Sequence, residues 1–459
     1  MSRTSIAIDD AATLVFGMAP HPVKCGFELT IGGGEVYPEV NFTLPTLTIS
    51  EHTWPTVLAH YRTIVSEVLR RASALQVPGI VLEFELLPAM TERPERGAEI
   101  TSVLYDGIQA SWEKSGLRSA LRVTPTDIRE QGKPPALRDG DAVSQLLESF
   151  ELNATAGADI LSIESIGGKE VHDQALVYGD IRGMVFALGV LAPRDMAWLW
   201  DRITSICRTH GGVVAGGDSA CAFANTAMQL AHQRLLPEVL AAVVRAMGAA
   251  RSLVAFERGA IGPSKDCAYE GPIIKAITGC PIAMEGKSSA CAHFSPVGNI
   301  AGAMCDLWSN ESVQNIRLLS GNAPEVFTEV LAYDCRLMNQ ATKHGEAVTL
   351  RDWMVESDEW LSPQAAVLSP AATIEIAKAI TGASGDYTRT VAAGRTALTI
   401  LQRGLRAGKL QLSKKELPWL DRIERAFDQL PPDEMELLDE MRETYRDLFD
   451  EKSYGLSAK

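Results

Sequence analysis

Three stretches of this chain share one shape: a strand-like apolar run, a glycine-rich turn, and, at or past the end of the run, a side chain able to hold a metal. Asp159-Ile160-Leu161-Ser162-Ile163 runs into Glu164 and then the Gly167-Gly168 turn. Gly212–Asp218 is followed by Ser219-Ala220-Cys221. Arg251–Glu257 reads as a strand leading through Gly262-Pro263-Ser264-Lys265-Asp266 to Cys267. In parallel α/β proteins, chemistry is done past the carboxyl ends of strands. One carboxylate and two thiols there suit zinc, which takes such ligands tetrahedrally and in a catalytic site keeps one position open. The thiols lie 46 residues apart (267 minus 221). Structural zinc ribbons prefer close pairs, so this spacing favours a site assembled at a barrel mouth.

Neighbouring residues have plainer readings. A single cysteine in a large chain is usually a small core hydrophobe, and Cys207 and Cys335 are read so. Asp218 and Asp266, beside the two thiols, either orient ligands or cap the following helices. Cys291 and His293 read as part of a mouth-lining or partner-facing loop rather than as ligands. Glu83 and Glu85 share a face of the strand 80–86 by its period of two. They are an acid–base pair, a buried pair inside a barrel, or a helix cap at the strand end.

The elements that must position these residues alternate along the chain. Helical periodicity covers 54–76, 97–115 and 141–157, and strands are expected at 80–86 and 120–124. Further strands are expected at 184–190, at 212–218 and 251–257 ahead of the two thiols, and at 282–285. Helices follow near 193–209, 225–235, 236–247, 271–278 and 296–312. This alternation predicts a parallel sheet with right-handed crossovers. The fold class is α/β, a (β/α)₈ TIM barrel with an N-terminal extension (1–50), a barrel domain with inserted helices (51–360) and a C-terminal helical region (361–459).

The chain has 459 residues and a net charge of -15. That charge argues against nucleic-acid or anionic-membrane binding, which needs basic surface. No signal-peptide pattern and no run of roughly 18 apolar residues is seen, so a cytoplasmic enzyme is expected. Eight scattered cysteines then read as reduced thiols or metal ligands.

Several motifs together carry a resemblance: Ser162–Glu170, Ala215–Met228, Arg251–Glu270, Lys275–Gly279, Met284–Lys287 with Cys291-Ala292-His293, Trp308–Val313 and Leu331–Cys335. They resemble the methanol:corrinoid methyltransferases along nearly the whole chain. The resemblance implies a zinc enzyme on a (β/α)₈ barrel that forms a homodimer and docks a separate corrinoid protein. It implies transfer of the methyl group of methanol to the Co(I) corrinoid, with zinc polarising the methanol oxygen. It places the zinc ligands on Glu164, Cys221 and Cys267. Departures fall at Leu86 and at Phe294-Ser295-Pro296, which bear on the methyl donor. The alternatives are another donor, such as a methoxylated compound or a methyl thiol, and a non-catalytic subunit that only docks the corrinoid protein. No Asp-x-His-x-x-Gly segment is present: His172 lacks the glycine and is expected at the surface, so the corrinoid must come from a partner.

Overall fold

A computed structural model describes residues 6–43, 48–265, 267–292, 294–313 and 316–456. Among the described residues nine strands form, in chain order β1 (Met18–Cys25), β2 (Leu29–Gly33), β3 (Tyr37–Thr43), β4 (Ile80–Glu85), β5 (Ser119–Thr124), β6 (Ile160–Ile163), β7 (Val214–Asp218), β8 (Ala283–Glu285) and β9 (Leu307–Val313). Seven lie in one sheet in the order β7-β6-β5-β4-β3-β9-β8, and every neighbouring pair is parallel. An eighth position lies between β7 and β8. There the segment 261–265 joins β7 through Ile261 N–H to Ala215 O (2.9 Å). It joins the β8 side through Ser264 N–H to Pro281 O (3.2 Å) and Ala283 N–H to Ser264 O (3.0 Å). Pro263 has no N–H to give, so this position is a seam rather than a full ladder. The barrel expected from the alternation is therefore present.

Its interior is layered. The β1–β2 hairpin plugs the amino end: Val23, Cys25, Leu29 and Ile31 form one buried cluster with inward residues of the barrel strands, among them Val81, Ala120, Ile160 and Val214. Above that floor Arg122 binds Glu39 (2.6 Å), Ser162 Oγ (2.8 Å) and Pro263 O (2.9 Å), all buried. With the amino end closed, the carboxyl end of the strands is left for chemistry.

Four readings change. The span 184–190 is helical, in the helix Ile181–Phe186 and the π turn that continues it to Leu191. The span 251–257 is the last part of the helix Glu238–Glu257. Both are apolar runs buried on all sides, and periodicity alone cannot separate a buried helix from a buried strand. Conversely, the span 296–312 is helical only at Gly298–Ala303, and its end belongs to β9. Finally, the span 1–50 is no mere extension, because β3 within it pairs with both β4 and β9.

The helix Glu238–Glu257 is long and apolar enough to cross a membrane, yet its residues Val239–Phe256 are all buried in the fold. The C-terminal helix Asp386–Arg406 packs along it, and Tyr454 accepts the Gly168 N–H at 2.9 Å. Met304, Cys305, Leu307 and Trp308 are buried within the chain, so they are core and not a face for a second copy.

Candidate metal centre

Glu164 directly follows β6, and its loop is held by close packing. A Cβ on Gly167 would lie 2.3 Å from Asp195 Cβ, and Gly168 has φ +89° as it opens the next helix. Both positions therefore demand glycine. The Ile166 N–H is taken by Asp127 (3.1 Å), which shares Arg129 with Asp195. Cys221 opens the helix Cys221–His232, three residues beyond β7. Cys267 follows the seam segment, and its N–H reaches Ser219 Oγ at 3.4 Å.

These three residues, remote in sequence, converge: one ligand atom from each lies within 4.8 Å of the others. Cys267 Sγ is 3.0 Å from Glu164 Oε1, and Asn225 Nδ2 donates to Cys221 Sγ at 3.0 Å. Cys267 is 6% exposed, whereas Glu164 and Cys221 are half-buried and line a cavity of about 440 Å³ at the barrel mouth. Strands β3, β4, β5, β8 and β9 contribute Asn41, Glu83, Thr124, Glu285 and Ser309 to that cavity, and the segments after β6 and β7 contribute Glu164 and Cys221.

The donor set fits a dication. The hydrogen bond with Cys267 pulls the Cys221 thiol down, but burial and the charges of Glu164 and Glu285 outweigh it and push the thiol up to about 12. Burial, then Cys221, Glu164 and Glu285, raise Cys267 well above the usual thiol range. The protein alone thus resists forming two thiolates here, and a divalent cation would reverse that balance. Among the described residues lining the cavity, Lys265 is the one cation. Its Nζ lies 2.9 Å from Glu83 and 3.4 Å from Glu164, and it also pairs with Glu85. Burial would raise Glu83, but Lys265 and Arg122 hold it below the usual carboxylate range. Glu83 and Glu85 do share a face, and Lys265 is what they face.

Asp218 caps no helix. It accepts from Trp200 Nε1 (2.8 Å), Arg251 (3.0 Å) and the Ser165 N–H (3.2 Å), so it ties the loop beyond Glu164 to two helices. Asp266 and His293 lie outside the described residues. Cys291 is exposed, whereas Cys207 and Cys335 are buried. His172 is fully buried, edge-on to Phe223 with centroids 5.1 Å apart, and its burial lowers its pKa. This corrects the surface position expected for it. Leu86 lines the cavity, and exposed Phe294 stacks on His232 at 4.0 Å. Lys265 and Arg251 were missed as site residues. Lys265 stands two residues before a candidate ligand, a signal that could have been used.

The profile of the methanol-cobalamin methyltransferase B subunit family matches residues 2–455. The chain belongs to that family. It is 39% identical over 461 residues to the methanol–corrinoid protein co-methyltransferase of Methanosarcina barkeri (strain Fusaro / DSM 804), covering 98% of each chain. The fold matches the crystal structure of the methanol:cobalamin methyltransferase complex MtaBC from Methanosarcina barkeri with a TM-score of 0.94 and 38% identity, covering 99% of each chain. As a member of this B subunit family the chain is a methyltransferase.

Proposed function

We propose that this chain transfers the methyl group of methanol to the Co(I) corrinoid of a separate protein, with zinc held by Glu164, Cys221 and Cys267. The observation that carries the reading is the convergence of these side chains in the mouth cavity, in a chain whose relative bears a methanol–corrinoid name. Bound zinc would supply Lewis-acid polarisation of the methanol oxygen, making a poor leaving group competent. The methyl carbon exchanges its bond to oxygen for one to cobalt. The oxygen leaves with the bonding pair and takes up a proton to become water.

The chain's own residues shape where this happens. The hairpin plug and the Glu39–Arg122 layer close the cavity from below, so a corrinoid carried by a partner must approach from the mouth. Lys265 ties Glu164 to Glu83 and Glu85 and limits its swing. The carboxylates lining the cavity outnumber its one lysine, which favours a metal cation and disfavours an anionic donor.

We place the enzyme in the cytoplasm, as a homodimer. Support for the dimer is the helix Ala323–Lys343, which exposes Val330, Tyr333 and Leu337, the last beside exposed Trp353. Large exposed apolar patches mark interaction sites.

The test is methanol-dependent methylation of cob(I)alamin, followed by absorbance, with zinc analysis of the same sample. One zinc per chain and methanol-dependent turnover are expected, with both lost in Cys221→Ala and Cys267→Ala. Full zinc and full activity in either variant would refute the ligand set. Turnover with a methoxylated compound or a methyl thiol but not with methanol would replace the donor and keep the site.

A further inference from the structure

We propose that Arg251 is a positioning residue that pre-forms the metal centre by fastening the ligand-bearing loops to one turn of the helix Glu238–Glu257. The proposal rests on the metal reading of Glu164, Cys221 and Cys267. One nitrogen of the Arg251 guanidinium donates to Ser165 O and Ser165 Oγ, both at 2.7 Å, and Ser165 is the residue after Glu164. The other terminal nitrogen donates to Asp218 Oδ1 and Ser219 O, both at 3.0 Å. Ser219 lies two residues before Cys221, and its hydroxyl is 3.6 Å from Cys267 Sγ. The guanidinium carbon also sits 4.9 Å from the ring centre of Phe223, in the helix that Cys221 opens.

The third loop is tied to the same turn. Ser252 Oγ donates to Glu270 Oε1 at 2.9 Å, and that oxygen also accepts the Ala220 N–H at 2.6 Å. Glu270 follows Cys267 by three residues, and Ala220 precedes Cys221. Two consecutive helical residues thus set the spacing of all three loops.

Stability alone gives a poor account of this arrangement. Arg251 and Asp218 are buried as ions, and a buried ion pair is often no better than apolar packing of the same volume. Arg251 Nε is buried without a hydrogen-bond partner among the described residues, a further cost. What the arrangement supplies is fixed geometry: a planar fork reaches two loops at once, which a lysine cannot do. Groups behind metal ligands hold them in place, and their loss typically costs 10–100-fold in metal affinity.

The experiment compares zinc affinity, measured by chelator competition, and the absorption spectrum of the Co(II)-substituted protein. Wild type, Arg251→Lys, Asp218→Asn and Ile376→Val are used, all well below their melting temperatures. Ile376 is a core residue of the C-terminal helix Pro370–Gly382, so its variant controls for a general loss of stability. Arg251→Lys is expected to bind zinc roughly 10–100-fold more weakly, with an altered Co(II) spectrum, while Ile376→Val matches wild type in both. Asp218→Asn, which weakens the same fork, is expected to move both readouts in the same direction and decides the matter if Arg251→Lys does not fold. Affinities within twofold of wild type and unchanged Co(II) spectra in the folded variants would overturn the proposal. Wild-type protein that binds no zinc would overturn the metal reading beneath it.

Discussion

Lys265 sets one ammonium against Glu83, Glu85 and Glu164. Glu83 and Lys265 are nearly inaccessible to water, so neither charge has solvent to fall back on. Removing one partner of such a pair leaves an uncompensated buried charge, which typically costs about 3–5 kcal/mol. Lys265→Met is therefore expected to lower the denaturation midpoint clearly at pH 7. Its deficit should shrink as pH falls, because the stranded carboxylates can then take protons. Equal midpoints for variant and wild type at pH 7 would show that the cluster is not held by this lysine. Arg251 differs in how it could have been found. Its partners Asp218 and Ser165 lie 33 and 86 residues away, and nothing in its local sequence marks it. Glu164 and Cys221 were legible because each stands at or just past the end of a true strand beside a glycine turn. Cys267 was reached from the run 251–257, which is helix, and the strand position before it is the short segment 261–265.

Among the elements, β6 matters most, since Glu164 directly follows it. Its position against β5 is fixed in part by Asp159, whose carboxylate accepts the Leu121 N–H at 2.8 Å. Burial pushes Asp159 up to about 6, against the opposing pull of that N–H. An unfolded aspartate titrates near ~4. Stability from the neutral folded form is thus fully present below that value and is lost as pH rises through about 6. Asp159→Asn carries no such charge. Its stability relative to wild type should improve by roughly 2–3 kcal/mol between pH 4 and pH 7, measured by denaturant titration at both values. A pH-independent difference would show that Asp159 ionises freely in the fold. Element types were read well where glycine or proline bounded a run, as at Gly271–Thr278 and Ala283–Glu285. They failed where an apolar run was buried on every side. At 184–190 and 251–257 the residues that decide helix against strand are contacts from distant parts of the chain, which composition does not carry. The segment 261–265 has too few residues and too little pattern to announce a strand.

At the scale of the whole molecule, the helix Glu238–Glu257 lies at the centre. It touches the site through Arg251 and packs against the C-terminal helix Asp386–Arg406, so the helices after 361 belong to the support of the barrel. Closure of that barrel is uneven around its circumference. Between β3 and β9 the paired register runs from Tyr37–Leu307 to Thr43–Val313. At 261–265, among the described residues, it rests on the backbone hydrogen bonds of Ile261, Ser264 and Ala283. A protein opens first where few backbone hydrogen bonds must break together, so this wall should breathe, and Cys267 lies directly beyond it. In deuterated solvent, peptides covering 259–267 should take up label faster than those covering 37–43 or 119–124. Zinc should slow the uptake at 259–267 selectively if Cys267 is a ligand. Uniform protection around the ring would show that the gap is sealed by side chains alone. Labelling that outpaces the other strands would make this wall the route by which a metal ion enters or is lost while the remainder of the barrel stays shut.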